Sequence, residues 1–214
     1  MKSQYKGQNR FKSSIKALVV MSLLFIPAVM HGFDEIGKPA SSMAPMNEPE
    51  KRPVGSKYFF QDNLDGGSEK YSTLTVREGE LVTFEDSAGS MYTRDSWFAP
   101  SMTWENCDGN SGSQTPKLKR DIWPLSKGTK FKYNVKNGSS SNENNWSDYV
   151  TCRVKTEVRV RTVSGEFDTY KLVCAGKWTT RIRYVSPEAG TTVAYQRIHK
   201  NRGKQSDTEW IRFE

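Results

Sequence analysis

The sequence contains few of the side chains that usually carry catalysis or hold a metal ion. Among 214 residues there are two histidines, and one of them, His31, lies at the boundary of a candidate export signal. No zinc site with two or more imidazoles can therefore be built from one chain. His199 lies in a basic turn, and the chain has no nucleophile elbow, zinc-protease motif or phosphate-binding glycine loop. We expect a protein that is not an enzyme and that needs no cofactor and no metal.

The sequence also lacks a hydrophobic run long enough to cross a membrane as a helix. Its longest uncharged apolar stretch, residues 17–30, has 14 residues, whereas a spanning helix needs about 20. Five Lys or Arg residues and no acidic residue precede this stretch, which is the layout of a secretory signal. No clear cleavage site follows, so an uncleaved anchor is the alternative. The sequence predicts a signal peptide or N-terminal anchor over 1–32 and a periplasmic or secreted domain, which meets a membrane only if the anchor is retained.

The excess of positive charge is small once this segment is set aside. The chain has 32 Lys and Arg and 24 Asp and Glu, a net charge of +8. Five of the basic residues belong to the export segment, which leaves 27 basic against 24 acidic residues and a net charge of +3. We do not expect an exported domain with this balance to bind nucleic acid.

Residues 33–56 contain four prolines among glycine, serine and charged residues. Such a segment buries too little apolar surface to offset the entropy of ordering it, so the sequence predicts a Pro-rich linker. The folded domain is expected to span 57–214.

An alternating pattern over residues 150–163 predicts a long strand. The even-numbered residues are valine, threonine or cysteine, and the odd-numbered ones are mostly Arg, Lys or Glu. Because successive side chains of a strand point to opposite faces, this strand has one apolar and one charged face. A Ser164-Gly165 turn and a second alternating segment over 168–174 predict a hairpin.

Similar alternation predicts further strands, and no segment after residue 32 has the apolar period of a helix. These strands are expected over 71–76, 81–84, 130–135, 179–185, 191–198 and 208–213. The predicted fold is all-β, an antiparallel curved sheet that forms a half-barrel or a sandwich. Residues 97–120 and 136–148 are expected to be polar insertions, the second a mobile loop.

The three cysteines are compatible with one disulfide in an exported protein. Counted from the Ser164-Gly165 turn, Cys152 lies opposite residue 177 and Cys174 opposite residue 155 or 156. This offset of about four residues, roughly 13 Å along the strands, is too long for a bridge unless a bulge intervenes. Cys107 could pair with either cysteine, so the pairing stays open.

A basic sheet face is the strongest candidate site, because alternation alone selects its positions. If the strands are neighbours in chain order, positive side chains on three strands share one face. These residues are Lys130, Lys132, Arg153, Lys155, Arg159, Arg161, Arg181 and Arg183. Like charges side by side repel, so an anion or an acidic partner would stabilise the face.

Several short motifs resemble those of uncharacterised exported β-domain proteins of Gram-negative bacteria. They are Trp123-Pro124-Leu125-x-x-Gly128, Phe131-x-Tyr133, Cys152-x-Val154, Val163-x-Gly165-x-Phe167-Asp168-Thr169-Tyr170-Lys171-x-Val173-Cys174 and Tyr184-x-Ser186-Pro187-Glu188-x-Gly190. The resemblance covers about a third of the chain. It implies an exported β domain, loosely similar to the half-barrel of periplasmic lipoprotein carriers, with no catalytic residues to transfer.

Two functions follow as hypotheses. The first is an exported, non-catalytic envelope protein that binds an anionic or apolar ligand or a protein partner, through the basic face or the concave side of the sheet. The partner would be an envelope protein or an anionic lipid or polysaccharide. The alternative is a structural or assembly subunit of a larger envelope complex. Hydrolysis by paired carboxylates comes third, since acidic residues are too common on surfaces to indicate it.

Overall fold

The computed structural model describes residues 32–94, 98, 101–109, 111–118, 122–139 and 142–214, without the side chains of 137–139 and 142–146. The predicted signal or anchor over 1–32 lies outside this range, apart from Gly32. The described residues form thirteen strands. They are β1 (Asp34–Gly37), β2 (Lys57–Asp62), β3 (Ser68–Glu78), β4 (Leu81–Asp86), β5 (Met91–Arg94), β6 (Thr103–Glu105), β7 (Ser111–Leu118), β8 (Lys130–Ser139), β9 (Asn142–Thr162), β10 (Gly165–Ala175), β11 (Thr179–Ser186), β12 (Thr191–His199) and β13 (Gly203–Phe213).

The strands form a single antiparallel sheet that closes on itself. Each strand from β2 to β12 pairs with the next, β8 through the first part of β9, and β13 pairs with β2. Twelve strands thus make a closed barrel, and β1 adds to the edge of β9 beyond the point where β8 ends. The predicted all-β class with a curved antiparallel sheet is confirmed, and the barrel is closed, whereas the sequence analysis expected a half-barrel or a sandwich.

A bulge at Lys155 divides the long strand β9 into two parts with opposite faces inward. Leu172 pairs with Val154 and Lys171 pairs with Thr156, so Lys155 is left without a partner on β10. An extra residue exchanges the two faces of a strand, because side chains alternate with a period of two. The apolar residues before the bulge therefore face the barrel interior, and those after it face outward.

Two hydrophobic cores follow from this exchange. The inner core joins the first part of β9 to β8, β10 and β11, with Phe131, Tyr133, Cys152 and Leu172 at most 1% exposed. The outer core contains Val160 and its neighbours on β11 and β12, and Phe33 packs against it. The hairpin tip is held over this core by the backbone amide of Val163, which donates to the Glu209 carboxylate at 2.8 Å.

Residues 33–56 belong to the folded unit, so the prediction of a linker is wrong. β1 pairs with β9, and Met46 is 6% exposed in the inner core. Met46 exchanges two backbone hydrogen bonds with Leu125, of 2.8 and 2.7 Å. The carbonyl of Ala44 accepts a hydrogen bond from the buried Tyr170 hydroxyl at 2.6 Å. A few apolar side chains between prolines are enough here because distant strands bury them.

The two predicted polar insertions also contain strands. β6 and β7 lie within 97–120, and the expected mobile loop over 136–148 is largely the joined ends of β8 and β9. These strands have polar residues on both faces, so they give no apolar alternation. The one helical element in the described ranges is a 3-10 turn, Asn63–Asp65. No helix among the described residues has the length and hydropathy to cross a membrane.

Candidate functional site

The structure keeps only part of the predicted basic face together. Lys130 lies directly opposite Arg153 on the outer face of β8 and β9, and Lys132 follows on the same face. Lys155, the bulge residue, is exposed beside them. The ammonium group of Lys132 lies 5.5 Å from the Tyr149 ring. A small outer basic patch of Lys130, Lys132, Arg153 and Lys155 therefore exists.

Arg159 and Arg161 do not belong to this patch, because the Lys155 bulge turns them to the other face of the sheet. They pair with acidic residues of β10. Arg161 Nη2 lies 2.9 Å from Glu166 Oε1, and Arg159 Nε lies 3.3 Å from Glu166 Oε2 and 4.0 Å from Asp168 Oδ1. Their charges are thus offset within the hairpin.

Arg181 and Arg183 point into the barrel. Arg181 pairs with Cys174 and Arg183 with Leu172, both of which belong to the inner core. Arg183 is 7% exposed. The prediction that these two arginines share the outer basic face is wrong, since Ile182 between them and Tyr184 after them pack in the outer core instead.

Cys152 and Cys174 form a disulfide, and Cys107 is a free, exposed thiol. The hairpin turn is Val163-Ser164, one residue earlier than expected, because Gly165 pairs with Thr162. The earlier turn and the bulge bring the two cysteines into register as direct partners. This settles the pairing that the sequence left open.

The inner face of β2 to β5 carries a cavity of about 210 Å³. Its walls come from alternate residues of these strands, and the segment 48–52 lies across it. Tyr58 pairs with Ser72, Phe84 with Tyr92, and Val82 with Arg94, so these side chains share one face.

Four aromatic rings, those of Tyr58, Phe60, Phe84 and Tyr92, line the cavity. The Phe84 ring stacks on Tyr92 with centroids 5.4 Å apart and meets Tyr58 edge-on at the same distance. The Tyr92 hydroxyl donates to Ser72 Oγ at 2.8 Å, which fixes the ring in place. Phe60 lines the cavity beside them. The wall is thus rigid, apolar on its ring faces and polar at its tyrosine tips.

Three arginines line the same cavity. Arg77 Nη2 donates to the carbonyl of Arg52 at 3.0 Å, and the Arg52 guanidinium lies 3.4 Å from the Phe213 ring centroid. Arg94 lies 4.9 Å from the Tyr92 ring centroid, and its Nε is buried with no hydrogen-bond partner among the described residues. Burial raises the pKa of Tyr58, although the charges of Arg52 and Arg77 oppose this, so its hydroxyl stays protonated at neutral pH.

The acidic residues of the cavity come from its covering segment and from the β3–β4 turn. They are Glu48, Glu50 and Glu80, and Glu80 is held by Lys51 in an exposed ion pair of 2.5 Å. The aromatic wall itself carries positive charge. An anion with an apolar face fits these groups, because arginine binds carboxylates and phosphates through paired N–H donors. Within the described part of the chain, no group of three His, Cys, Asp or Glu could hold a metal ion.

The cavity cannot be identified from the sequence alone, although one signal for it is present there. Tyr58 and Phe60 alternate with Phe59, which faces the other side, and Val82 and Phe84 alternate within a predicted strand. The arginines that join them, Arg77 and Arg94, are each isolated in sequence. Only the pairing of four strands brings these residues together.

Comparisons with known proteins give no family. No protein-family model and no curated protein sequence matches the chain. Among solved structures, the chain is similar to the hypothetical lipoprotein YmcC from Escherichia coli K12, with 8% identity and a TM-score of 0.47 over 75% of this chain and 85% of that chain. It is also similar to a Bacteroides fragilis protein described as exported and YmcC-like in fold, with 12% identity and a TM-score of 0.40 over 80% of this chain and 100% of that chain. Likenesses at this level do not extend to a ligand or a partner.

Proposed function

We propose that this chain is an exported, non-catalytic binding protein of the bacterial envelope, and that its ligand is an acidic saccharide held in the cavity of β2 to β5. The observation that carries the proposal is the combination of stacked aromatic rings with Arg52, Arg77 and Arg94 in one concave site. Sites for small ligands are mostly apolar, with a few polar groups that fix orientation.

The saccharide follows from the chemistry of the wall. The electron-rich face of an aromatic ring attracts the C–H groups on the flat face of a sugar ring. The arginines supply paired donors for a carboxylate on that sugar. A cavity of about 210 Å³ has room for a single sugar unit rather than for a lipid with its acyl chains.

Export is supported by two independent features of the chain. The basic and apolar segment before residue 32 has the layout of a secretory signal. The Cys152–Cys174 disulfide is typical of proteins that fold outside the cytoplasm.

The outer basic patch is the competing site for the same class of ligand. Only four of the eight residues of the predicted basic face belong to this patch. Arg159 and Arg161 pair with acidic residues, and Arg181 and Arg183 point inward. What is left is a solvated surface of flexible side chains, which binds anions weakly in salt. The interior cavity is therefore the better candidate.

Calorimetric titration of the full chain with a glucuronic acid oligosaccharide tests the proposal. We expect binding that is lost when the carboxylates are reduced to alcohols. Phe84→Leu and Arg77→Met should each weaken binding at least tenfold, about 1.4 kcal/mol. The matched control Arg153→Met removes one positive charge from the outer basic patch and should leave the affinity within twofold.

Three results would count against the saccharide. The first is equal binding of the reduced oligosaccharide, and the second is loss of binding in Arg153→Met but not in Arg77→Met. The third is binding to vesicles of anionic phospholipid without binding to the oligosaccharide, which would favour a lipid head group. The assembly-subunit alternative predicts no ligand at all and stable co-purification with an envelope complex.

A further inference from the structure

A positively charged guanidinium, that of Arg183, lies inside the barrel. Arg183 is 7% exposed, and its neighbours in the ladder, Leu172 and Tyr195, set it on the inner face. It forms no ion pair with any residue in the described ranges, and its Nη1 atom is buried without a hydrogen-bond partner. Arginine keeps its proton at any ordinary pH, so the charge remains there.

The free-energy cost of removing the Arg183 guanidinium from water is only partly offset by nearby aromatic rings. The guanidinium carbon lies 5.0 Å from the Tyr195 ring centroid and 6.0 Å from that of Phe98. Ring faces attract a cation, but they do not replace the hydrogen bonds that its N–H groups make in water. Burial lowers the pKa of Arg183, and the nearby charges of Arg94 and Arg181 act in the same direction, against the effect of Tyr195 and Tyr133.

Two more buried donors on the same inner face lack a partner among the described residues. The hydroxyl of Tyr133 makes no hydrogen bond with them, although the residue is fully buried. Tyr133 pairs with Leu118 and Val150, so its side chain points inward. The second buried donor of this kind is the Nε atom of Arg94. Burial raises the pKa of Tyr133, and the charge of Asp148 acts in the same direction, against the charges of Arg181 and Arg183, so its hydroxyl stays protonated and able to donate.

Buried donors in a native protein are nearly always satisfied, so several unsatisfied ones together indicate a missing acceptor. The acceptor must be negatively charged, because it has to compensate a buried cation as well as fill hydrogen bonds. An oxyanion meets both needs, since its oxygens accept from guanidinium and hydroxyl donors at once.

We propose that Arg183 and Tyr133 form a buried oxyanion-binding site inside the barrel, with Arg94 as a neighbouring donor, for a phosphate or carboxylate group. The site does not depend on the saccharide proposed above, because a free ion is enough to fill it. Arg94 also lines the saccharide cavity, so the two sites share a wall.

Thermal unfolding and calorimetry with inorganic phosphate, glucuronic acid and chloride test this site in the full chain. Phosphate or glucuronic acid should raise the unfolding temperature by mass action, and chloride at equal ionic strength should not. A shift with phosphate identifies a free phosphate site. A shift with glucuronic acid alone that persists in Arg77→Met identifies the carboxylate of a larger ligand in this site.

The variants separate binding from a merely structural role. Tyr133→Phe should weaken anion binding at least tenfold, and Arg183→Met should abolish it. Without any oxyanion, Arg183→Met should unfold at a higher temperature than the natural chain, because the uncompensated charge is gone. Arg153→Met, on the outer face, is the control and should bind the anion normally.

No stabilisation by either oxyanion, or unchanged affinity in Tyr133→Phe, would overturn the proposal. A lower unfolding temperature of Arg183→Met in anion-free buffer would also count against it. If Arg183→Met does not fold, Tyr133→Phe decides alone, because it removes one hydroxyl and keeps the ring. Arg77→Met separates the two proposals, since it should lose the oligosaccharide while phosphate binding persists.

Discussion

Cys152 and Cys174 lie directly opposite each other on β9 and β10, and a disulfide joins them across the inner face of the barrel. Their register depends on the single extra residue Lys155. Without that bulge, Cys174 would face residue 153, whose side chain points away from the inner core. One residue thus sets the cross-link, the face of the hairpin that carries Arg159 and Arg161, and the division between the two cores.

Removing the disulfide should destabilise the domain without abolishing its fold. The two cysteines are 22 residues apart, and closing a loop of this size contributes about 3 kcal/mol. We expect the double variant Cys152→Ser, Cys174→Ser to unfold in urea with a free energy lower by about that amount. The control Cys107→Ser should match the natural chain, because its thiol is free and exposed. Alkylation of three thiols without prior reduction would contradict the pairing.

Deleting Lys155 should be far more damaging than changing its side chain. The deletion puts the residues after it onto the opposite face, so Val158 and Val160 would leave the outer core for solvent. Burial of two such side chains stabilises by about 3–6 kcal/mol, a large part of the stability of an ordinary domain. We expect no cooperative unfolding transition for the deletion by circular dichroism. Lys155→Thr, the control, should unfold like the natural chain, and a normally folded deletion variant would refute the bulge.

Met46 tests whether residues 33–56 are part of the domain. Its side chain is 6% exposed in the inner core, so Met46→Ala should cost about 2–5 kcal/mol. A linker residue would show no such cost. Urea unfolding measures the difference, and Met43→Ala, which truncates a partly buried side chain of the same type in this segment, should cost less. Equal stability of Met46→Ala and the natural chain would restore the linker interpretation.

The attachment of β1 should weaken in acid. Burial alone would raise the pKa of Glu35, but hydrogen bonds from Lys171 at 2.6 Å and from the Tyr184 hydroxyl at 2.5 Å, with the Lys171 charge, lower it below its ordinary value of 4.5. A carboxylate whose pKa is lower in the folded state stabilises that state at neutral pH. The contribution is lost as the pH falls through the folded-state pKa.

Glu35→Gln measures this contribution. We expect the variant to be less stable than the natural chain by about 0.5–1.5 kcal/mol at pH 7, since the carboxylate is partly exposed. The difference should shrink as the pH falls through the lowered folded-state pKa of Glu35, where the natural chain is itself protonated. Hydrogen exchange of the β1 amides should follow the same dependence. A difference that is constant between pH 7 and pH 3 would mean that the charge of Glu35 plays no part.

The sequence determined the strands whose two faces differ in polarity. The eight strands predicted from alternation are all present, and Pro187 and Gly190 lie in the turn between β11 and β12, with Gly190 at a φ of 60°. The alternation of a half-buried strand is a pattern of consecutive residues, so it can be recognised without knowing the fold. The short polar strands β5, β6 and β7 have no such pattern, and neither does β1.

Only the tertiary structure decided which face of each strand is buried and which residues come together in a site. The bulge at Lys155 cannot be recognised in the sequence, because the two-residue alternation continues through it. It nevertheless turns Arg159 and Arg161 away from Arg153. The same holds for Arg183, which points inward because its neighbours Ile182 and Tyr184 pack in the outer core, where Phe33 of the N-terminal segment contacts Tyr184. Closure of the barrel then brings Arg94 and Arg183, 89 residues apart, to one interior. Alternation specifies that a strand has two faces, whereas the choice of the buried face depends on chain segments far away in sequence.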